Sequence, residues 1–373
     1  METADFLIIG GGVAGLSAAA RLAAHGRAVV IEAESAVGYH SSGRSVTFSH
    51  YGIGNRVVRG LTAYSRDFFL DPPDRFDPLA RASSALFVSR EETLGELEAL
   101  HAEMALFTDT VAPVEEAAMR ALCPVLRMGP GALVAGLVDR GGLKLDPHAL
   151  LQGFARAVRT AGGEIVTDAR VSAVRRSGAG WQVDADKGAW TAPVLVNAAG
   201  SWADSVAALA GVRPLGLRPL RRTIIVIDPQ GHEVRDWPFV KAVRDEFYML
   251  PESGMLLASP VDEVPDDPCD AQPDDYDVAL AAHRVEEYTT LAVARIAHRW
   301  AGLRTFTADR VPTAGFAPDA PGFFWLAGQG GYGLQTAPAM AEIAEALVLG
   351  RDWPAGLARL GVAPAHITPD RLL

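Results

Sequence analysis

The chain has 373 residues, which at about 150 residues per domain implies two or three domains. Hydrophobic residues make up 49% and charged residues 21%, a globular balance that excludes a disordered chain. The formal charge of -11 argues against nucleic acid as the main partner, and the two distant cysteines, Cys123 and Cys269, exclude a zinc ribbon and a disulfide scaffold. No apolar run reaches the roughly 18 residues that a membrane helix needs. Residues 6–24 come nearest and are broken by four glycines. Residues 1–5 are acidic and make no positively charged leader, so the expected location is the cytoplasm, with the inner face of the membrane left open as a peripheral site.

Phe6-Leu7-Ile8-Ile9 predicts a buried strand that runs into a tight turn at Gly10-Gly11-Gly12. Residues 13–25 suit a helix capped by Gly26, and residues 27–32 a second buried strand ending on Glu32. This is a β-α-β unit, which implies parallel strands. Residues 55–70 read as a helix stopped by Asp71-Pro72-Pro73, and residues 90–107 and 113–122 give further helical patterns. Asp146 and Pro147 open a helix that runs to Thr160. Residues 164–167, 171–174, 181–184 and 194–196 are strand-like. The middle of the chain changes character, with short strands at 223–227, 247–250 and 255–258 as in an antiparallel sheet. A solvated Asp- and Pro-rich loop is expected over 262–277 and a helix over 276–298. The final pattern resembles the first: a strand at 323–327, a glycine turn at 328–333 and a helix at 336–349. Together these imply an α/β nucleotide domain built from separated segments, with an antiparallel domain inserted.

Gly10, Gly12 and Gly15 satisfy G-x-G-x-x-G between a strand and a helix, and Glu32 ends the next strand, where a ribose hydroxyl would be held. The spacing supplies a tight turn, backbone close to a pyrophosphate, and close packing of helix on strand. Beyond it, Tyr39-His40-Ser41-Ser42-Gly43-Arg44-Ser45 offers hydroxyls and an Arg to a larger cofactor. Asn197-Ala198-Ala199-Gly200 closes another strand with small residues, and Gly330-Gly331-Tyr332-Gly333-Leu334-Gln335-Thr336 is a second glycine turn opening a helix. A dinucleotide is indicated, and FAD is favoured over NAD.

These four motifs resemble the FAD-dependent D-amino-acid oxidase superfamily, most nearly its bacterial D-arginine dehydrogenase branch, and the resemblance extends along the whole chain, through Gly211-Val212-Arg213-Pro214 and Trp300-Ala301-Gly302-Leu303-Arg304. It implies a Rossmann-type, glutathione-reductase-like FAD domain formed by residues 1–80, 145–215 and 305–373. An α+β substrate domain with an antiparallel sheet is implied for residues 81–144 and 216–304. The implied chemistry is hydride transfer from the α-carbon of an amino acid to non-covalent FAD, giving an imino acid that hydrolyses to a keto acid and ammonia. The resemblance makes Arg304 the carboxylate clamp, with Arg222 and the Tyr248 hydroxyl as further contacts, and sets Val13, Ala14, Ala33, Val171 and Trp202 beside the cofactor. Backbone N–H groups of Gly331, Tyr332, Gly333, Leu334 and Gln335 suit the negative charge of a reduced flavin.

Two departures bear on the substrate. The glutamate that pairs with a basic side chain in that branch is Ala85 here, which favours a neutral or apolar side chain. The branch's pocket histidine and mobile loop tyrosine align with Phe48 and Ile53, while His50 and Tyr51 stand nearby as a base or water-holder and a lid. The expected activity is oxidation of an uncharged D-amino acid. Glycine, sarcosine, another secondary amine or a 2-hydroxy acid is the alternative, and a non-catalytic flavin-binding module the reading of a different class. No motif specifies the electron acceptor, which could be oxygen, a quinone or another molecule.

Overall fold

The computed structural model describes residues 1–178 and 180–373. Phe6–Ile9 and Ala28–Ile31 are apolar throughout, buried on both faces and paired in parallel. Val194–Asn197 and Phe323–Ala327 extend this pair on one side, and Glu164–Val166 extends it on the other. The antiparallel strand Thr313–Phe316 completes a six-stranded sheet. Alternate residues of the sheet serve opposite layers, as strand geometry requires. Ile8, Val30 and Val196 pack under the helices Val13–Leu22 and Gly333–Val348. Leu7, Ile9 and Val29 pack against Trp181, Val183 and Trp190 of a small antiparallel sheet.

A nine-stranded mixed sheet forms the second body. Arg218–Ile227 lies one strand in from an edge, antiparallel to the edge strand Ile296–Phe306 on one side and to Met255–Ser259 on the other. Tyr248–Glu252, Phe239–Ala242 and Ala85–Ser89 continue it outward. One face buries Ile225, Met249 and Ala258 under the helix Asp275–Tyr288 through Val278, Ala281 and Val285. The other face carries Ile224, Phe239, Tyr248 and Leu250. The six-stranded sheet draws only on segments before residue 32, between 164 and 197 and after 313, and the nine-stranded sheet on those between 85 and 139 and between 218 and 306. On that segregation we propose the two-domain division expected from the sequence.

Several elements differ from the sequence pattern. Residues 289–298 do not continue a helix: Asp275–Tyr288 stops at the extended Thr289, and Ile296–Phe306 becomes a strand because Arg218–Ile227 offers a long partner. Val111–Val114 is a strand, and the helix that follows starts only at Glu116. A 3-10 turn at Glu91–Thr93 precedes the helix Leu94–Met104. The first helix ends at Leu22 on Ala23 rather than on Gly26, and the last one starts at Gly333 rather than Thr336. Gly26 is instead pressed against Asp5, where a Cβ would lie 2.6 Å from a carboxylate oxygen. Among the described residues no helix is long and apolar enough to cross a membrane, and no cluster of His, Cys, Asp and Glu is arranged to hold a metal ion.

Candidate active site

A groove runs along the carboxyl ends of the parallel strands, where an open α/β sheet binds ligands. Its first section encloses about 220 Å³ between Gly10, Gly12, Glu32, Ala33, His40, Val171, Ala199, Gly200 and Trp202. Both Glu32 oxygens accept backbone N–H groups, from Gly11 at 2.6 Å and from Glu34 at 2.8 Å, so the carboxylate is fixed with lone pairs left for hydroxyls. His40 packs its ring on Trp202, 4.7 Å between centroids, and its Nε2 meets Glu34 at 3.0 Å. Gly10 has φ +108°, and a Cβ there would lie 2.4 Å from the Ala198 carbonyl oxygen. At Gly15 a Cβ would lie 1.9 Å from the Gly10 oxygen, so the helix can approach the strand only without a side chain.

Ser41 and Ser42 join this section to a second, lined by Val13, Ala14, Arg44, Ser45, Gly330, Gly333 and Leu334. The Ser42 hydroxyl accepts the Val13 N–H at 3.0 Å, at the N-terminus of the first helix. Two features differ from expectation. The Arg44 guanidinium turns away to the Ala271 and Ala301 carbonyls and Asp270, so it ties the loop at 270–271 to the strand Ile296–Phe306. Thr336 is fully buried, and its hydroxyl donates to the Tyr332 carbonyl, so it caps the turn from behind.

The groove then opens into a cavity of about 490 Å³ lined by Arg304, Arg222, Tyr248, His50, Phe48, Gly331, Tyr332 and Gln335. Strand alternation aims these groups. Ala301 and Leu303 are buried, and between and beyond them Trp300, Gly302 and Arg304 face the other way. Arg304 has no hydrogen-bond or ion-pair partner among the described residues, and its Nη1 lies 2.8 Å from where a Gly331 Cβ would stand. Arg222 is 4% exposed and donates from Nε to the Asp262 carbonyl at 2.6 Å. Burial and the neighbouring Arg304 bring its guanidinium down to about 10, so it is still charged at neutral pH. The Tyr248 hydroxyl is buried with no partner among the described residues.

The expected base role of His50 is corrected by its surroundings. Its Nδ1 accepts the Gly52 N–H at 3.0 Å, which leaves the proton on Nε2. Burial first, then Lys241 and Arg59, lower its pKa to about 3, so the ring is neutral and offers a donor to the cavity. Tyr51 is not a lid: it is 4% exposed, stacks on Phe107 with 6.3 Å between centroids, and does not line the cavity. Ile53 lines it instead. Ala85 is fully buried between Asp139 and Phe239 in the sheet and does not line the cavity. Phe48 does line the wall and stacks on Phe239 at 5.0 Å.

Sequence reasoning missed Phe239, Lys241, Asp245, Glu263 and Arg310, which also line the cavity. Lys241 pairs with Asp245 at 2.7 Å, and Glu263 accepts from both Arg310 nitrogens at 3.0 and 2.6 Å. A period-2 signal was present for the first two: Val240 and Ala242 point into the core under the helix, so Phe239 and Lys241 must point the other way.

The chain matches the family model described as DAO, FAD dependent oxidoreductase, over residues 5–347, and it belongs to that family. FAD is its cofactor, and the side-chain-free approaches at Gly10, Gly12 and Gly15 and the fixed Glu32 carboxylate fit an extended dinucleotide. Human mitochondrial dimethylglycine dehydrogenase is 24% identical over 268 residues, covering 69% of this chain and 30% of that protein. The chain thus spans about a third of the length of the dimethylglycine dehydrogenases that it matches. A probable oxidoreductase of Rhizobium meliloti is 25% identical, with 93% of this chain and 83% of that one covered. Among solved structures, glycine oxidase from Geobacillus kaustophilus superposes with TM-score 0.83 at 21% identity over 95% of this chain and 96% of that one. L-proline dehydrogenase from P. horikoshii superposes with TM-score 0.86 at 19% identity over 99% and 98%.

Proposed function

We propose that the chain oxidises a small carboxylate-bearing amine, with a D-amino acid as the first expectation. The observation that carries this reading is Arg304, an unpartnered guanidinium on the wall of the cavity that ends the dinucleotide groove. A planar fork in that position suits a carboxylate, which takes two parallel charge-assisted bonds. Arg222 adds a second positive charge, and the Tyr248 hydroxyl is a donor with no acceptor among the described residues. FAD in the groove supplies a two-electron acceptor for the α-hydrogen leaving as hydride, so that the amine becomes an imine once its nitrogen has lost a proton, and water then yields keto acid and ammonia.

The acids of the cavity all have cationic partners: Asp245 with Lys241, Glu263 with Arg310 and Asp309 with Arg371. None is free to act as a base, so the amine binds neutral or passes its proton to water. No acid reaches the cavity from the position of Ala85, which disfavours a cationic side chain such as that of D-Arg. The names of the dimethylglycine dehydrogenase and glycine oxidase relatives support a second reading, an N-substituted or unsubstituted glycine, because the same carboxylate clamp would serve it. Anaerobic titration of the purified holoprotein with D- and L-amino acids, glycine, sarcosine and a 2-hydroxy acid tests both readings. Bleaching of flavin absorbance by D-amino acids is expected. Bleaching by sarcosine or glycine alone selects the second reading. Bleaching by none of them leaves the non-catalytic flavin module.

A further inference from the structure

Lys241 is the unusual group in the cavity. It is 7% exposed, on a strand whose neighbouring residues are apolar, and a buried ammonium costs several kcal/mol unless an anion meets it. Among the described residues the only carboxylate that meets it is Asp245, at 2.7 Å, and the Asp245 side chain is 74% exposed at the tip of the hairpin between Phe239–Ala242 and Tyr248–Glu252. The two partners are therefore unequal: the lysine is held in the wall, while the aspartate reaches solvent, so that an incoming anion that keeps Lys241 paired can take its place. The Ala242 carbonyl takes a second Lys241 N–H at 3.2 Å, which leaves one of its three donors without an acceptor.

Lys241 and Tyr248 are direct cross-strand neighbours, so both side chains rise from the same face of the sheet. The Tyr248 hydroxyl is buried and unpartnered, and the His50 Nε2–H is a further donor on the same wall. Against partial desolvation, Lys241, Arg222 and Arg304 hold the Asp245 carboxyl below the usual carboxylate range. It stands where several cations converge, which is where an anionic ligand group would stand.

We propose that Lys241 is the anchor for a second carboxylate of the substrate, which displaces Asp245, and that the chain acts on an amino dicarboxylate. This rests on the reading of Arg304 as the clamp for the first carboxylate. It replaces the expectation of an uncharged side chain, since the lack of an acid at Ala85 disfavours only the cationic class. The aromatic wall of Phe48 and Phe239 packs the stem between the two acidic groups.

The test compares isosteres by anaerobic flavin reduction: D-glutamate against D-glutamine, D-aspartate against D-asparagine, and iminodiacetate against its monoamide. A charged contact replaced by a neutral one predicts a preference for the acid of about tenfold or more in kcat/KM for the best-fitting pair. Lys241→Met should remove that preference, and Asp245→Asn should lower KM for the acid, because the competing anion is gone. Binding without turnover gives an independent readout. Glutarate should raise Tm more than butyrate does in the wild type and in Asp245→Asn, and not in Lys241→Met. Amides reduced as well as acids, or Lys241→Met slowing both alike with a lower Tm, would overturn the proposal and make the pair a hairpin clasp. If no amine reduces the flavin but glutarate still binds through Lys241, the subsite stands and the oxidation reading fails. If D-alanine and D-glutamine reduce it and glutarate binds no better than butyrate, the oxidation reading stands and the subsite fails.

Discussion

The two ends of the binding groove are built from opposite materials. At the dinucleotide end much of the wall is backbone, glycine and short side chains, and the Glu32 carboxylate is pinned by two N–H groups. At the substrate end the walls are long charged and aromatic side chains projecting from four strands of one sheet, at Arg222, Lys241, Tyr248 and Arg304. A pyrophosphate needs close approach to backbone and a helix N-terminus, so it is best served by removing side chains. A small zwitterion or acid needs direct charge complementarity, so it is best served by adding them. The first end should fail as a unit when a methyl group is added, and the second should fail residue by residue.

The largest expected effect is therefore at Gly15. Gly15→Ala puts a Cβ 1.9 Å from the Gly10 carbonyl oxygen, where only movement of the helix can relieve it. The purified variant should lose its flavin, read as the ratio of absorbance at 450 nm to that at 280 nm (approximate flavin and protein bands). Retention of full flavin content would show that the turn tolerates a side chain and would break the contrast. Next comes Arg304→Ala, which should keep flavin yet lower kcat/KM for carboxylate substrates by about 10²–10³-fold. An unchanged KM there would sink the clamp.

That contrast also explains what could be read from the sequence. Gly10, Gly12, Gly15 and Glu32 are close together in the chain because one turn and one strand do the work, so the motif is local and legible. The cavity is assembled by register across a sheet. Arg222 pairs with Gly302, Leu220 with Arg304, and Lys241 with Tyr248, each pair separated by sequence that carries no common signal. Family resemblance supplied Arg222, Tyr248 and Arg304. It could not supply Lys241, which only strand alternation points to. The helix expected over 276–298 ends early, at Tyr288, for the same reason, since a non-local partner decides that Ile296–Phe306 is a strand.

His50 sharpens the comparison in a different way, because the cavity keeps it neutral. Its pKa falls from 6.5 to about 3 on folding, through burial first and then Lys241 and Arg59, with Asp245 opposing them. The folded value lies below the unfolded one, so the unfolded chain binds more protons between these values and stability falls as pH falls through that window. Between pH 7 and pH 5 this amounts to about 2 kcal/mol. Denaturant unfolding should show His50→Gln losing less stability than the wild type over that interval. Parallel slopes for the two proteins would mean that the ring is protonated in the fold or reached by water.

The smallest effect, and the one that separates binding from stability, belongs to Tyr248. Its hydroxyl is buried with no acceptor among the described residues, and a buried hydroxyl left unpaired costs about 1–3 kcal/mol relative to an apolar group of the same shape. Tyr248→Phe should therefore raise Tm of the ligand-free protein. The same change removes a donor aimed at the carboxylate, so KM for the best substrate should rise by about tenfold while kcat changes less. Opposite signs in the two measurements identify a group kept unsatisfied for its ligand. If Tm and substrate binding fall together, the hydroxyl already has a partner in the empty protein, and the substrate end then resembles the dinucleotide end in being satisfied before its ligand arrives.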